Sequence, residues 1–363
     1  QRQMCIRDSP WAMPAYIWAD TPLRQAVAWT GSYGLSFVTL VALALPFTVG
    51  RFRGLGAAFA TLGAVFLVGV AQTEKAGETE LLGTVRLVQP NVPQHEKWHL
   101  AKVPDHIDRL LALSSDVGEA GLVIWPESAV AYPLDLAGPI LGKAFDAAGV
   151  PVLLGLNRRE NGGEVWHNSL AVVGQGGEVT ETYDKVHLVP FGEYIPFRIE
   201  LLRAMAASSG FGFTPGDAVR LIDTPLGRAL PLICYEGIFP GHMFKAGARP
   251  DYLLQITNDA WFGTFSGPFQ HLDQMRFRAA EQGLPAVRAA NTGISAAIDH
   301  LGRVTAHLDL GQSGKLDQAV FAGRSTIYAK TGDWPTIVLV LVTLSALFHW
   351  KSRNTIARPN RSS

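Results

Sequence analysis

The chain has 363 residues, with 31 basic against 31 acidic side chains and only 17% charged residues. Zero net charge with no basic tract before the C-terminal tail gives nucleic acid no electrostatic footing. The mean hydropathy is positive, above that of an ordinary soluble domain, and the apolar excess is concentrated in a few stretches.

Taken from the start, residues 1–9 include Met4-Cys5-Ile6-Arg7-Asp8-Ser9 and show neither a signal-peptide pattern nor apolar periodicity. They read like a translated sequencing adapter, so a non-native stub is expected and Cys5 is given no role. Residues 10–32 are expected to form a loop segment on the outer side of a membrane. Residues 33–50 are almost uncharged and carry Leu35, Phe37, Val38, Leu40, Val41, Leu43, Leu45 and Phe47; residues 55–71 repeat that character with more Gly and Ala. A third apolar run covers 334–350. Each approaches the roughly 20 residues that cross a bilayer as a helix. Two membrane helices are therefore expected within 33–72 and a third at 334–350.

Arg51 and Arg53 lie between the first two runs, and Lys351, Arg353, Arg358 and Arg361 follow the third in a basic tail, 351–363. The positive-inside rule places both basic segments in the cytoplasm and the polar middle of the chain outside, which in a Gram-negative cell is the periplasm.

That middle, residues 80–325, alternates short β-rich runs with helical stretches. Strands are expected at 84–88, 122–125, 151–156, 169–173, 229–233, 252–256 and 295–298, and helices at 106–113, 139–148 and 269–282. Such alternation predicts an α/β domain of sheets covered by helices. Three polar residues follow strand runs: Glu127 after Val123-Ile124-Trp125-Pro126, Lys185 in Tyr183-Asp184-Lys185, and Cys234 at the end of Leu232-Ile233. Loops beyond strand ends build sites in α/β sheets.

The three types make one chemistry. A thiol is a strong nucleophile only as thiolate, so a carboxylate must take its proton, and a fixed cation must meet the oxyanion formed when an acyl carbonyl is attacked. Glu127 suits the base, Lys185 the oxyanion partner, and the Tyr235 backbone N–H a second donor. The bland alternative for Cys234 is a small buried hydrophobe. Against it, an oxidising compartment normally pairs cysteines, and Cys234 has none to pair with in its own domain.

Val123-Ile124-Trp125-Pro126-Glu127-Ser128, Tyr183-Asp184-Lys185 and Leu232-Ile233-Cys234-Tyr235-Glu236 together resemble the nitrilase, or carbon-nitrogen hydrolase, superfamily. Three further words narrow the resemblance to the apolipoprotein N-acyltransferase family. They are Leu87-Val88-Gln89-Pro90-Asn91-Val92-Pro93-Gln94 with Lys97-Trp98, then His187-Leu188-Val189-Pro190-Phe191-Gly192-Glu193-Tyr194-Ile195-Pro196, then Thr257-Asn258-Asp259-Ala260-Trp261-Phe262-Gly263.

The resemblance implies a four-layer αββα nitrilase-like sandwich flanked by transmembrane helices, a Glu127-Lys185-Cys234 catalytic trio, and no cofactor or metal. It implies a ping-pong reaction with a phospholipid acyl donor, typically phosphatidylethanolamine, and a diacylglyceryl apolipoprotein acceptor, at the bacterial inner membrane. Supporting roles fall to Glu193, Tyr235 and Glu236, with Glu236 expected to orient Lys185; Trp98 and Trp261 are expected to contact lipid. It also implies that upstream spans of the family are absent from this sequence. Two other readings stand beside it: a membrane-tethered amidase that passes its acyl group to water, and a non-catalytic lipid- or lipoprotein-binding module. His95-Glu96-Lys97-Trp98-His99 satisfies H-E-x-x-H, a zinc-protease pattern when helical. Here Pro93 and Pro104 leave room for a short helix at best, and the resemblance already accounts for the segment.

Overall fold

The computed structural model describes residues 10–48, 50–74, 77, 79–194 and 212–356, without the side chains of 350–356. The 1–9 stub with Cys5, the Ile195-Pro196 end of the second family word, and the side chains of the basic tail (Lys351, Arg353, Arg358, Arg361) lie outside the described residues. The chain divides into two compact units, one of residues 1–12 and 76–325, the other of 13–75 and 326–363.

The second unit is helical. Two of its helices, Pro22–Thr48 and Arg51–Glu74, are long and apolar enough to cross a membrane. Residues 10–32, expected as a loop segment, instead hold 3₁₀ turns at Pro10–Ala12, Pro14–Trp18 and Pro22–Ala26, followed by the helix Val27–Thr48, which is broken at Gly31 where φ is 66°. The C-terminal helix runs Trp334–Ile356 and is apolar over Trp334–His349, shorter than the other two.

The first unit is built on two six-stranded sheets. Its strands are β1 (Leu81–Gln89), β2 (Leu122–Ile124), β3 (Val152–Glu160), β4 (Val165–Val173), β5 (Val179–Asp184), β6 (Ile222–Thr224), β7 (Gly227–Ile233), β8 (Tyr252–Thr257), β9 (Ala286–Ala290), β10 (Ser295–Ile298), β11 (Val304–Leu308) and β12 (Gly314–Phe321). One sheet has the order β12-β1-β2-β3-β4-β5 and the other β11-β10-β9-β8-β7-β6. In each, three consecutive strands are parallel, β1-β2-β3 and β7-β8-β9, and the flanking strands are antiparallel.

Near-continuous apolar runs such as Leu122–Ile124 and Leu230–Ile233 suit parallel strands covered on both faces. The coverage forms three apolar layers. Val85, Leu87, Ile124 and Leu153 of one sheet meet Ile233, Tyr252, Leu254 and Val287 of the other. On the outer face of the first sheet, Val123, Trp125 and Leu154 pack on Ile107 and Leu110 of helix Val103–Ser114 and on Leu141 and Ala144 of helix Gly138–Ala148. Outside the second sheet, Leu230, Leu232 and Leu253 pack on Met275 and Ala279 of helix Gly267–Gln282. The order is αββα, and each fully buried aliphatic side chain contributes roughly 1.5–3 kcal/mol over leaving it in water.

The seven expected strands are present, and five more are not apparent from pattern. β5, β11 and β12 carry polar residues on their half-exposed faces, β6 is three residues long, and Ala-Val-Arg-Ala-Ala of β9 lacks the β-branched signal while burying Arg288 completely. Parallel pairing points β1-β3 and β7-β9 so that Glu127, Cys234 and Asn258 all follow C-terminal strand ends.

Candidate active site

Glu127 follows Pro126, where the strand stops because proline cannot donate to the ladder. Its loop presses on β3: a Cβ at Gly155 would stand 2.6 Å from the Glu127 Cα, so only glycine fits there. The carboxylate is almost buried, accepting from Asn168 Nδ2 at 2.7 Å on one oxygen and from the Asn258 N–H at 2.8 Å on the other. Lys185 Nζ lies 3.7 Å from Glu127 Oε1 and donates to Glu193 Oε1 at 2.8 Å. Asn168 also donates to Glu193 at 2.9 Å, and Glu193 Oε2 accepts from the Val189 N–H at 2.7 Å. Two carboxylates around one buried ammonium hold the Lys185 pKa well above its ordinary value, against the pull of burial. Lys185 is therefore a fixed cation.

Register fixes it further. The Lys185 N–H donates to Asn168 O at 2.8 Å, and the preceding Asp184 forms a two-pronged pair with Arg158 at 3.0 and 2.6 Å. Glu236 was expected to orient Lys185. It does not touch the ammonium; its Oε1 accepts from the Val186 and His187 N–H groups at 2.7 and 3.0 Å and from Tyr183 Oη at 3.0 Å, and its Oε2 accepts from Ile233 N–H at 2.8 Å. Glu236 thus ties the backbone flanking Lys185 to the backbone before Cys234, and Glu193 is the residue that grips the lysine head. Burial raises the Glu236 pKa to about 7, opposed by those backbone donors.

Cys234 directly follows β7 and adopts φ = 53°, a left-handed conformation uncommon outside glycine. It opens a 3₁₀ turn, Cys234–Ile238, in which Tyr235 packs edge-on against His187 and Phe239 at centroid distances of 5.7 and 5.0 Å. The thiol is buried, and burial together with the charge on Glu127 pushes its pKa well up, while Lys185 pulls it down. Burial and the Glu127 charge both disfavour the thiolate, so a base that takes the proton helps to form the nucleophile.

Lys97, part of a family word and given no role there, is a member of this assembly. Its Nζ donates to the Glu127 carbonyl oxygen at 2.9 Å, and burial lowers its pKa from 10.5 to about 8. The folded chain gives up this proton before the unfolded chain does, so between about pH 8 and 10.5 the unfolded state binds more protons and stability from this site rises with pH. Below pH 8 the buried ammonium costs on the order of 3 kcal/mol. Thermal unfolding of the parent is accordingly expected to gain on Lys97→Met as pH rises through that window; a constant difference between the two would contradict the assignment. Asn168 and Asn258 are likewise new, each bonding Glu127 from a strand or strand end distant in sequence.

Trp98 and Trp261 are 47% and 64% exposed, so neither is a core residue. The H-E-x-x-H segment is a turn, not a helix; Glu96 pairs with Lys102 at 2.7 Å and His95 is 81% exposed, so its histidines do not share a helix face. Among the described residues no group of His, Cys, Asp and Glu is placed to hold a metal ion.

The αββα sandwich, with Glu127, Lys185 and Cys234 each just beyond a strand end, fits the carbon-nitrogen hydrolase class, and the carbon-nitrogen hydrolase family model matches residues 84–330. A solved carbon-nitrogen hydrolase from Helicobacter pylori superposes with a TM-score of 0.51 at 18% identity, covering 66% of this chain and 88% of that one, a likeness of fold. Apolipoprotein N-acyltransferases from Brucella melitensis and Bradyrhizobium diazoefficiens are each 36% identical, over 93% and 92% of this chain and 68% of their own lengths. One from Geobacter metallireducens is 34% identical over 97% of the chain and 72% of its own. The chain belongs to the apolipoprotein N-acyltransferase family.

Proposed function

We propose that the chain transfers a fatty acyl group from a phospholipid, through a thioester on Cys234, to the N-terminal amine of a diacylglyceryl-cysteine in an apolipoprotein. Glu127 takes the Sγ proton, and the thiolate attacks the acyl ester carbonyl. The oxyanion that forms is stabilised by Lys185 and the Tyr235 backbone N–H. Collapse breaks the ester C–O bond, and the leaving lysophospholipid oxygen takes the proton from Glu127. In the second half, the incoming amine attacks the thioester and gives its proton to Glu127, and the departing sulfur receives that proton. Glu193 holds Lys185 in place, and Glu236 holds the backbone on either side of the trio.

The observation that carries this reading is the buried Glu127–Lys185–Glu193 assembly, close enough to the buried Cys234 thiol for the charges of Glu127 and Lys185 both to act on it. The donor is phosphatidylethanolamine, and exposed Trp98 and Trp261 meet the lipid, where amphipathic rings are favoured. Arg51 and Arg53 put the loop between the two long helices in the cytoplasm, so the catalytic unit works on the periplasmic side of the inner membrane, with the Trp334–Ile356 helix as a further span. The test is incubation of the lipid-reconstituted chain with phosphatidylethanolamine and a synthetic diacylglyceryl-cysteinyl peptide. N-acylated peptide and lysophospholipid in equal amounts are expected; free fatty acid with unmodified peptide would instead favour an amidase-like transfer to water.

A further inference from the structure

Behind the Cys234 turn lies a closed hydrogen-bonded ring that the proposed steps leave unused. Gln255 Nε2 donates to the Cys234 carbonyl oxygen at 3.0 Å, and His271 Nε2 lies 3.1 Å from the same oxygen. His271 gives its Nδ1–H to Asp259 Oδ1 at 2.9 Å and keeps Nε2, 3.2 Å from Gln255 Nε2, as the acceptor that steers that amide; Asp259 Oδ2 accepts from Arg288, and Arg288 returns to Gln255 Oε1. Thr257 Oγ1 adds a donor to Asp259 at 2.9 Å. All four ring members are fully buried, and a Cβ at Gly293 would stand 2.2 Å from Asp259 Oδ2, so the backbone leaves room for the carboxylate.

Burying two charges and two polar side chains is costly, and a ring in which each finds partners recovers that cost only in one geometry. The geometry it selects is that of the nucleophile. A non-glycine residue in the left-handed region is strained, and it persists where its surroundings over-determine it. Here the clamp sits on the carbonyl of the strained residue itself. The same ring reaches the base, because Asp259 directly follows Asn258, whose N–H donates to Glu127 Oε2 at 2.8 Å.

We propose that Gln255, Asp259, His271 and Arg288 are positioning residues for acyl transfer: by gripping the Cys234 carbonyl and anchoring Asn258, they set nucleophile and base relative to one another. This rests on the acyl-transfer reading above. It is tested on the full chain in lipid by comparing thioester formation from phosphatidylethanolamine with alkylation of Cys234 by iodoacetamide. Misplacing a reacting group by about an ångström costs roughly 100-fold. His271→Leu is expected to slow thioester formation by about that factor, with KM for phospholipid and the alkylation rate within about threefold of the parent, because alkylation needs the thiol and not its alignment. His271→Gln, which restores a polar link between Asp259 and the Gln255 amide, is expected to recover most of the loss.

Parental acylation in folded His271→Leu would overturn the proposal, as would an equal fall in alkylation and acylation, or a loss that His271→Gln does not repair. Should His271→Leu fail to fold, Gln255→Met removes the donor to the Cys234 carbonyl, and with it the acceptor for Arg288, at similar bulk, and parental acylation there overturns it too. A parent that forms no thioester overturns the acyl-transfer reading itself, and the inference with it.

Discussion

Cys234→Ala is expected to leave a folded protein with no detectable acyl transfer, a loss on the order of 10⁶-fold when a catalytic nucleophile is removed. Both halves of the proposed reaction run through the sulfur, so no partial activity survives. The fold tolerates the change. Alanine meets the left-handed φ of 53° with the same Cβ that cysteine has, and the clamp on the carbonyl from Gln255 does not involve the side chain. The sulfur does fill part of the layer between the sheets, beside Ile233 and Ile256, so a stability loss of about 1 kcal/mol is expected from the small cavity. Lysophospholipid release and thermal unfolding measured on the same sample separate these effects. Substantial lysophospholipid release by the variant would remove Cys234 from the reaction.

Glu127→Gln is expected to slow both half-reactions by about 10²–10⁴-fold, the range for loss of a positioned base. A second effect has the opposite sign. The Glu127 charge is one cause of the raised thiol pKa, so its removal lets that pKa fall, and alkylation of Cys234 at neutral pH is expected to become faster while acyl transfer becomes slower. A merely structural role for Glu127 would slow both or neither. Lys185 keeps its 2.8 Å pair with Glu193, so the ammonium is not orphaned and the variant stays folded. Alkylation and thioester formation followed in parallel between pH 6 and 9 would show the divergence.

Why the trio was legible and its setting was not has a physical explanation. Glu127, Lys185 and Cys234 each sit just beyond an apolar or β-rich run, and local pattern marks such ends. Asn168 lies inside β4, reading as an ordinary polar strand residue, yet it bonds both Glu127 and Glu193 across the site. Gln255 and Thr257 alternate with Leu254 and Ile256 in β8, which reads as a strand with one wet face; in the fold both faces are buried and the polar one builds the ring behind Cys234. Pairing of β12 with β1 joins Leu87 to Leu316, a separation that no local rule reaches. Glu236, expected with the resemblance to orient Lys185, instead spends its acceptors on four nearby donors, none of them the ammonium.

The most direct test is intact-mass analysis of the lipid-reconstituted chain after incubation with phosphatidylethanolamine and no acceptor. A mass increase of one fatty acyl chain is expected, mapped to Cys234, absent in Cys234→Ala, and discharged on adding a diacylglyceryl-cysteinyl peptide. A folded, lipid-embedded sample that takes up no acyl group, or that carries it on another residue, would contradict it.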